Sequence, residues 1–368
     1  VYGREQNPEA GDERRGRRRA GGFFTSPVVG SIVKIVAVGL FTVSLVISLT
    51  VIILLIVGAA AVSGDGIERT TPGYRKVYLD SQHFSLREGS ASELAIVHID
   101  GIITEYDQRD VLLGYVENPV NGVMNRLEAV RSDSAVQGVL LVIDSPGGGV
   151  TASDVLFNHI MRFRDETGIP IVTLMGQVAA SGAYYVAAAS DEIVAYPTTI
   201  TGSIGVILYG FNVSGLMEKY GVEYVAVKSS AHKDSLSPFK PVDNTEVEWM
   251  QGVVDRMLER FIDAIDYGRE NLSRDEIERL ADGRIYLAPD ALELGLIDGV
   301  GYFDDAVDVL AEVAGVSEPV LVEYERETNF RDLFGMVRLS IPRSLFGFRD
   351  PVTRDRGFQF YYLWNAVL

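Results

Sequence analysis

Cysteine is absent from the 368 residues, which excludes disulfides, thiolate catalysis and thiolate-held metals. Only four histidines occur, His83, His98, His159 and His232, and no two stand at the spacing of H-x-x-x-H or H-E-x-x-H. Spacing therefore offers no metal site, and no cofactor is expected. Neither G-x-x-x-x-G-K-[ST] nor G-x-G-x-x-G occurs, so the glycine-rich turns are not phosphate loops of those types. Lysine is scarce, six residues against 27 arginines, which makes each lysine worth inspecting. Positive charge is also short overall: the formal net charge is -18. A body so acidic repels phosphate backbones, and no nucleic-acid partner is expected.

The charge is unevenly placed. Residues 1–62 carry seven Lys and Arg against four Asp and Glu, the remainder 26 against 47. The stretch "IVAVGLFTVSLVISLTVIILLIVGAAAV", residues 35–62, has no charge and exceeds the roughly 20 residues that cross a bilayer. With "RRGRRR" (14–19) before it, this reads as a retained transmembrane anchor with a cytoplasmic N-terminus and an extracytoplasmic C-terminal body at the cell membrane. The organisation expected is a basic N-terminus (1–34), an anchor (35–62), a linker (63–90), a main domain (91–315) and a C-terminal extension (316–368).

Beyond the linker, apolar runs and helical spacings alternate. "ELAIVHID", "QGVLLVIDS", "IPIVTLMG", "EIVAYP" and "VEYVAVK" read as strands. Residues 120–131, 151–166 and 181–190 read as helices between them, and 244–267 as one long amphipathic helix. Repeated βα units predict an α/β fold with a largely parallel sheet. The aromatic, basic tail after residue 333 has no clear period.

Three glycine-rich turns follow strands: "DSPGGGV", "MGQVAASGAY" and "TTITGSIGV". In parallel sheets such turns converge outside the carboxyl ends of the strands, where ligands bind. Gly147, Gly148 and Gly149 can bring backbone N–H groups close to a ligand and suit an oxyanion hole. Ser181 stands either as a helix-start residue or as a nucleophile that needs a base. In "KSSAHKDSLSP", His232 and Lys233 are equal candidates for that base, alongside the alternative of a plain polar turn.

The pieces "VHIDGIIT", "LVIDSPGGGV", "MGQVAASGAYYVAAASDEIVA", "TGSIGV", "KSSAHKDSLSP" and "DGRIYLAPDALELGLID" resemble, in order, peptidase family S49, the signal peptide peptidase A group. The resemblance implies a ClpP/crotonase-like fold and serine endopeptidase activity through a Ser/Lys dyad. It places the nucleophile on Ser181 and the general base on Lys233, 52 residues later. The oxyanion donor falls on Gly148 with Gly149 in support, and Ser203 orients the lysine. It further implies peptide substrates, in cleaved signal peptides and other exported or membrane-associated polypeptides, and a homo-oligomer; a catalytically inactive membrane scaffold is the alternative. Where the family has ASGGYY this chain has "ASGAYY", so Ala183 is expected to narrow the pocket, and Ser230 replaces a glycine ahead of the lysine.

Overall fold

A computed structural model describes residues 38–52, 73–79, 92–106, 108–110, 114–116, 118–326 and 360–363. The chain divides into two units, residues 1–66 and 67–368.

In the first unit a helix, α1, covers residues 38–52, all of them exposed. Its described part runs roughly 22 Å at 1.5 Å per residue, against a hydrocarbon core of about 30 Å. Among the described residues no helix is long and apolar enough to cross a membrane. The expected transmembrane helix is corrected accordingly, and with it the membrane-anchored function, the membrane partner and the single-pass cell-membrane localisation. The uncharged run has 28 residues, whereas the described helix holds the fifteen residues 38–52 of them. Residues 1–34 with the arginine run, and 35–37 and 53–62 of the expected anchor, lie outside the described residues.

The second unit is built on a sheet that is nine-stranded among the described residues. In chain order its first elements are β1 (Tyr74–Tyr78), β2 (Glu93–Asp100), a small hairpin β3 (Gln108–Asp110) and β4 (Gly114–Val116), then helix α2 (Pro119–Arg131). There follow β5 (Val136–Ser145), β6 (Gly147–Gly149), α3 (Val150–Thr167), β7 (Ile171–Ala180), α4 (Gly182–Ala187), β8 (Glu192–Ala195), β9 (Ile200–Gly202), β10 (Ile207–Leu208) and α5 (Ser214–Tyr220). After a 3-10 helix at Ala231–Asp234 come α6 (Asn244–Gly268), α7 (Arg274–Leu280), β11 (Ile285–Leu287), α8 (Ala288–Glu293), β12 (Gly299–Val300), α9 (Phe303–Ala314), β13 (Val320–Arg326) and β14 (Phe360–Leu363).

The main path runs β1-β13-β2-β5-β7-β8-β12, with β9 and β11 branching from β7. The pairs β13–β2, β2–β5, β5–β7, β7–β8, β8–β12 and β7–β9 are parallel. Continuous apolar strands such as "VLLVI" in β5 suit this sheet because both faces are covered. One face packs Val97, Ile99, Val139, Leu141 and Ile143 under α2, α3 and α4; the other packs Leu94, Ile96, Leu140, Val172 and Leu174 under α9.

Two departures from the expected elements have physical causes. β1 lies within the expected linker: Lys76 interrupts its apolar character, yet the lysine is buried and paired with Glu93 and Asp133, whose Oδ2 also accepts from Tyr324 Oη at 2.7 Å. Conversely, residues 222–228 have strand-forming composition but no strand, because they are exposed and join no sheet.

Candidate active site

Ser181 stands between the carboxyl end of β7 and the start of α4, with φ 57° and ψ -119°. Such a backbone is uncommon for a residue with a Cβ and persists only where its surroundings fix it. Here Ser181 N donates to Gly202 O at 2.8 Å, and Ser181 O accepts from Tyr185 N at 2.9 Å. Beneath it, Thr201 Oγ1 donates to Ala179 O at 2.7 Å and Thr199 Oγ1 to Gly176 O at 2.6 Å. Those bonds tie the ends of β7 and β9 into one rigid edge. Burial of α4 does the rest: Tyr185 packs on Phe157 and Phe261 at ring-centroid distances of 5.2 and 4.9 Å. Tyr184 donates to Leu296 O at 2.8 Å. Burial pushes the Tyr184 phenol up from its ordinary value, so it stays protonated. The two tyrosines are core residues, and Ala183 is fully buried among them.

Ser203 follows the strand that neighbours Ser181. Ala180 pairs with Gly202 in parallel register, which sets the next residues, Ser181 and Ser203, side by side. Ser203 also takes a left-handed φ of 51°, and its N–H donates to Arg284 O at 2.7 Å.

The glycine turn forms a short strand beside α4. Ile103 N donates to Gly147 O at 2.9 Å, and Gly149 N donates to Ile103 O at 3.0 Å. Because successive peptide groups of a strand point to opposite edges, Gly148 N–H faces away from Ile103. The Gly149 N–H is therefore occupied, and Gly148 has the outward donor. A Cβ on Gly148 would lie 2.0 Å from Ile103 O, so no other residue fits the close approach of these backbones.

The outward edge of Gly147–Gly149 pairs with the chain's own β14. Tyr361, Tyr362 and Leu363 lie opposite Gly149, Gly148 and Gly147, antiparallel. The other edge of β14 pairs with β10, Tyr361 against Ile207 and Phe360 against Leu208. A slot between the glycine strand and the strand just after Ser203 thus accommodates one extended chain. Sequence reading left this tail unplaced; the β-forming run "FQFYYL" was the available signal.

Lys233 is not part of this cluster. It lies exposed on the 3-10 helix, and its ammonium has no hydrogen-bond or ion-pair partner among the described residues. His232 is also exposed, with its ring 6.2 Å from that of Trp249. Lys228 Nζ donates to Asp234 Oδ1 at 2.5 Å, and Lys240 Nζ to the same oxygen at 3.1 Å. Those hydrogen bonds, Lys228 foremost, hold the Asp234 carboxyl below its ordinary value. Beside this loop a cavity of about 310 Å³ is lined by Leu208, Phe211, Leu236, Val247 and Met250 among others. The described residues contain no group of three or more His, Asp or Glu able to hold a metal.

The family model of peptidase family S49 matches residues 163–317, and that of Clp protease matches residues 104–201. The chain is 35% identical over 263 residues to "Putative signal peptide peptidase SppA" of Enterococcus faecium, covering 70% of this chain and 76% of the relative. It is 37% identical over 237 residues to "Putative protease MJ0651" of Methanocaldococcus jannaschii, covering 64% and 74%. To "Serine protease SPPA, chloroplastic" of Arabidopsis thaliana it is 28% identical over 284 residues, covering 74% of this chain and 41% of the relative.

Proposed function

The chain belongs to peptidase family S49 and is a serine peptidase, and from that premise we propose that it cleaves extended polypeptide segments with Ser181 as nucleophile, Lys233 as general base and Gly148 N–H as oxyanion donor. The observation that carries the substrate reading is the antiparallel pairing of Tyr361, Tyr362 and Leu363 with Gly149, Gly148 and Gly147. A substrate strand in that slot would pair its backbone in the same way, and side chains would alternate into pockets. The cavity beside Leu208, walled by Phe211, Leu236, Val247 and Met250 with Lys240 and Glu246 at its polar side, has room for such a side chain.

In the proposed reaction neutral Lys233 takes the proton of Ser181 as the oxygen attacks the scissile carbonyl carbon. Gly148 N–H stabilises the tetrahedral oxyanion, and the ammonium of Lys233 returns its proton to the leaving amine as the C–N bond breaks. Water, deprotonated by the same lysine, then hydrolyses the acyl-enzyme and frees Ser181. The Ser203 hydroxyl orients the amine.

A lysine acts as a base only when covered, since desolvation favours its neutral form. Lys233 is exposed in a single chain. The helix α6 meets the Lys233 loop through Glu246 and meets α4 through Phe261. Those residues are fifteen positions apart, roughly 22 Å along a helix. Exposed apolar residues surround the loop, with Phe211, Val225 and Val227 at 86%, 77% and 101% of full exposure. In the proposed enzyme a second copy of the chain brings its Lys233 onto Ser181, which covers that apolar surface and desolvates the amine.

The test is chemical labelling. A fluorophosphonate should modify Ser181 alone, read by peptide mass mapping, with a rate that climbs from neutral to alkaline pH as Lys233 loses its proton. Labelling at another serine, or none on a protein that hydrolyses peptides, would refute the assignment.

A further inference from the structure

The loop that carries Lys233 is gripped by charges for which the proposed reaction has no use. Four groups alternate in sign: Lys228, Asp234, Lys240 and Glu246. Lys228 Nζ reaches Asp234 Oδ1 at 2.5 Å and Ala231 O at 3.0 Å. Lys240 Nζ bridges Asp234 Oδ1 at 3.1 Å and Glu246 Oε1 at 2.8 Å. The remaining oxygen of Glu246, Oε2, accepts from Leu236 N at 3.1 Å. Glu246 is 4% exposed although residues 221–245 around the loop are largely open to solvent. It sits in the first turn of α6, whose opening Asp243 fixes by accepting from Thr245 N at 2.9 Å. Both carboxylate oxygens are thus spent on the loop, one on its backbone and one on its charge network.

Leu236 is the second observation. Its φ of 58° places a leucine in the left-handed region, where the Cβ crowds the backbone. Strain of this kind holds only where partners over-determine the backbone, and it collects at sites that need a fixed geometry. Here the strained turn begins directly after the 3-10 helix that ends at Asp234. The clamp also settles which lysine Asp234 serves. A carboxylate paired to Lys233 would favour its charged form and oppose its use as a base. Asp234 is instead occupied by Lys228 and Lys240, which leaves the Lys233 amine unpaired.

We infer that Glu246 is a positioning residue for the general base: through Lys240 and Asp234 on one side and Leu236 N–H on the other, it fixes the loop so that Lys233 presents an unpaired amine to the nucleophile. This rests on the reading of Lys233 as the base.

The test compares steady-state peptide hydrolysis by the wild-type chain, Glu246→Ala, Glu246→Gln, Lys240→Met and Lys233→Ala, with thermal unfolding and sedimentation as checks on fold and assembly. Glu246→Ala and Lys240→Met should each lower kcat about 10- to 100-fold with KM within about twofold, the signature of a misplaced reacting group. Glu246→Gln, which keeps an acceptor for Leu236 N–H, should recover part of that loss. Equal falls in all three, or a loss expressed in KM alone, would overturn the positioning role. So would unchanged kcat in Glu246→Ala and Lys240→Met beside an inactive Lys233→Ala, while leaving the dyad standing. If Lys233→Ala keeps wild-type activity, the dyad reading fails and this inference falls with it. Should Glu246→Ala not fold, Lys240→Met decides.

Discussion

At Ser181 the chain holds a side-chain-bearing residue at φ 57° and ψ -119°, a conformation that glycine adopts more readily. The hydroxyl is required there by the chemistry proposed, and the backbone is strained to present it at the end of β7. Removing the side chain should therefore relieve the fold while ending the reaction. Ser181→Gly is predicted to be inactive yet about 1 kcal/mol more stable than the equally inactive Ser181→Ala, measured by urea unfolding of both. Equal stability would mean that the positive φ carries no penalty here. Ser203 shares the left-handed backbone, and neither angle can be read from composition. What sequence could supply was the residue types and their order; the pairing of Ala180 with Gly202 that sets the two serines together belongs to strand register.

Among the elements, those with a strong local period were legible: α3 at Val150–Thr167 and α6 at Asn244–Gly268 follow from their apolar spacing, and β5 and β7 from their unbroken apolar runs. The misses share one cause, dependence on distant partners. Strand β1 contains a lysine that only Glu93 and Asp133 make tolerable, and residues 222–228 have strand-like letters without a neighbouring strand. Strand β14 is the extreme case, since its partners β6 and β10 stand more than 150 residues before it in the chain. Because β14 fills the slot proposed for substrate, it should compete with substrate. Tyr362→Pro, which removes one backbone donor opposite Gly148 and disfavours the strand, is predicted to lower KM several-fold with kcat little changed. An unchanged KM would separate the β14 slot from the substrate path.

Over the whole molecule, the sheet is closed at one edge by a buried ionic cluster. Burial works against charge on Lys76, yet the hydrogen bonds it donates to Asp133 and Glu93 outweigh it and hold its pKa above the ordinary lysine value. Asp133, similarly opposed by burial, is held below the ordinary carboxyl value by Lys76 and Tyr324. The Lys76 contribution is complete below the lysine's unfolded pKa and fades as pH rises through its raised folded value. That of Asp133 is complete above its unfolded pKa and fades as pH falls through its depressed folded value. Lys76→Met leaves buried carboxylates uncompensated and should cost about 3–5 kcal/mol at neutral pH, with a gap to wild type that narrows as pH falls and the uncompensated carboxylates of the variant take up protons. A gap independent of pH would assign the loss to packing.

The measurement that bears most directly on the central claim is the initial rate of hydrolysis of a fluorogenic apolar peptide by Ser181→Ala, by Lys233→Ala, and by the two variants co-assembled in equal amounts. Each variant alone should be inactive while folded, and the mixed assembly should regain a fraction of wild-type activity, because some pairs of copies then unite an intact Ser181 with an intact Lys233. Hydrolysis at the wild-type rate by either variant alone would contradict the dyad, and a mixed assembly as inactive as its parts would contradict its division between two copies.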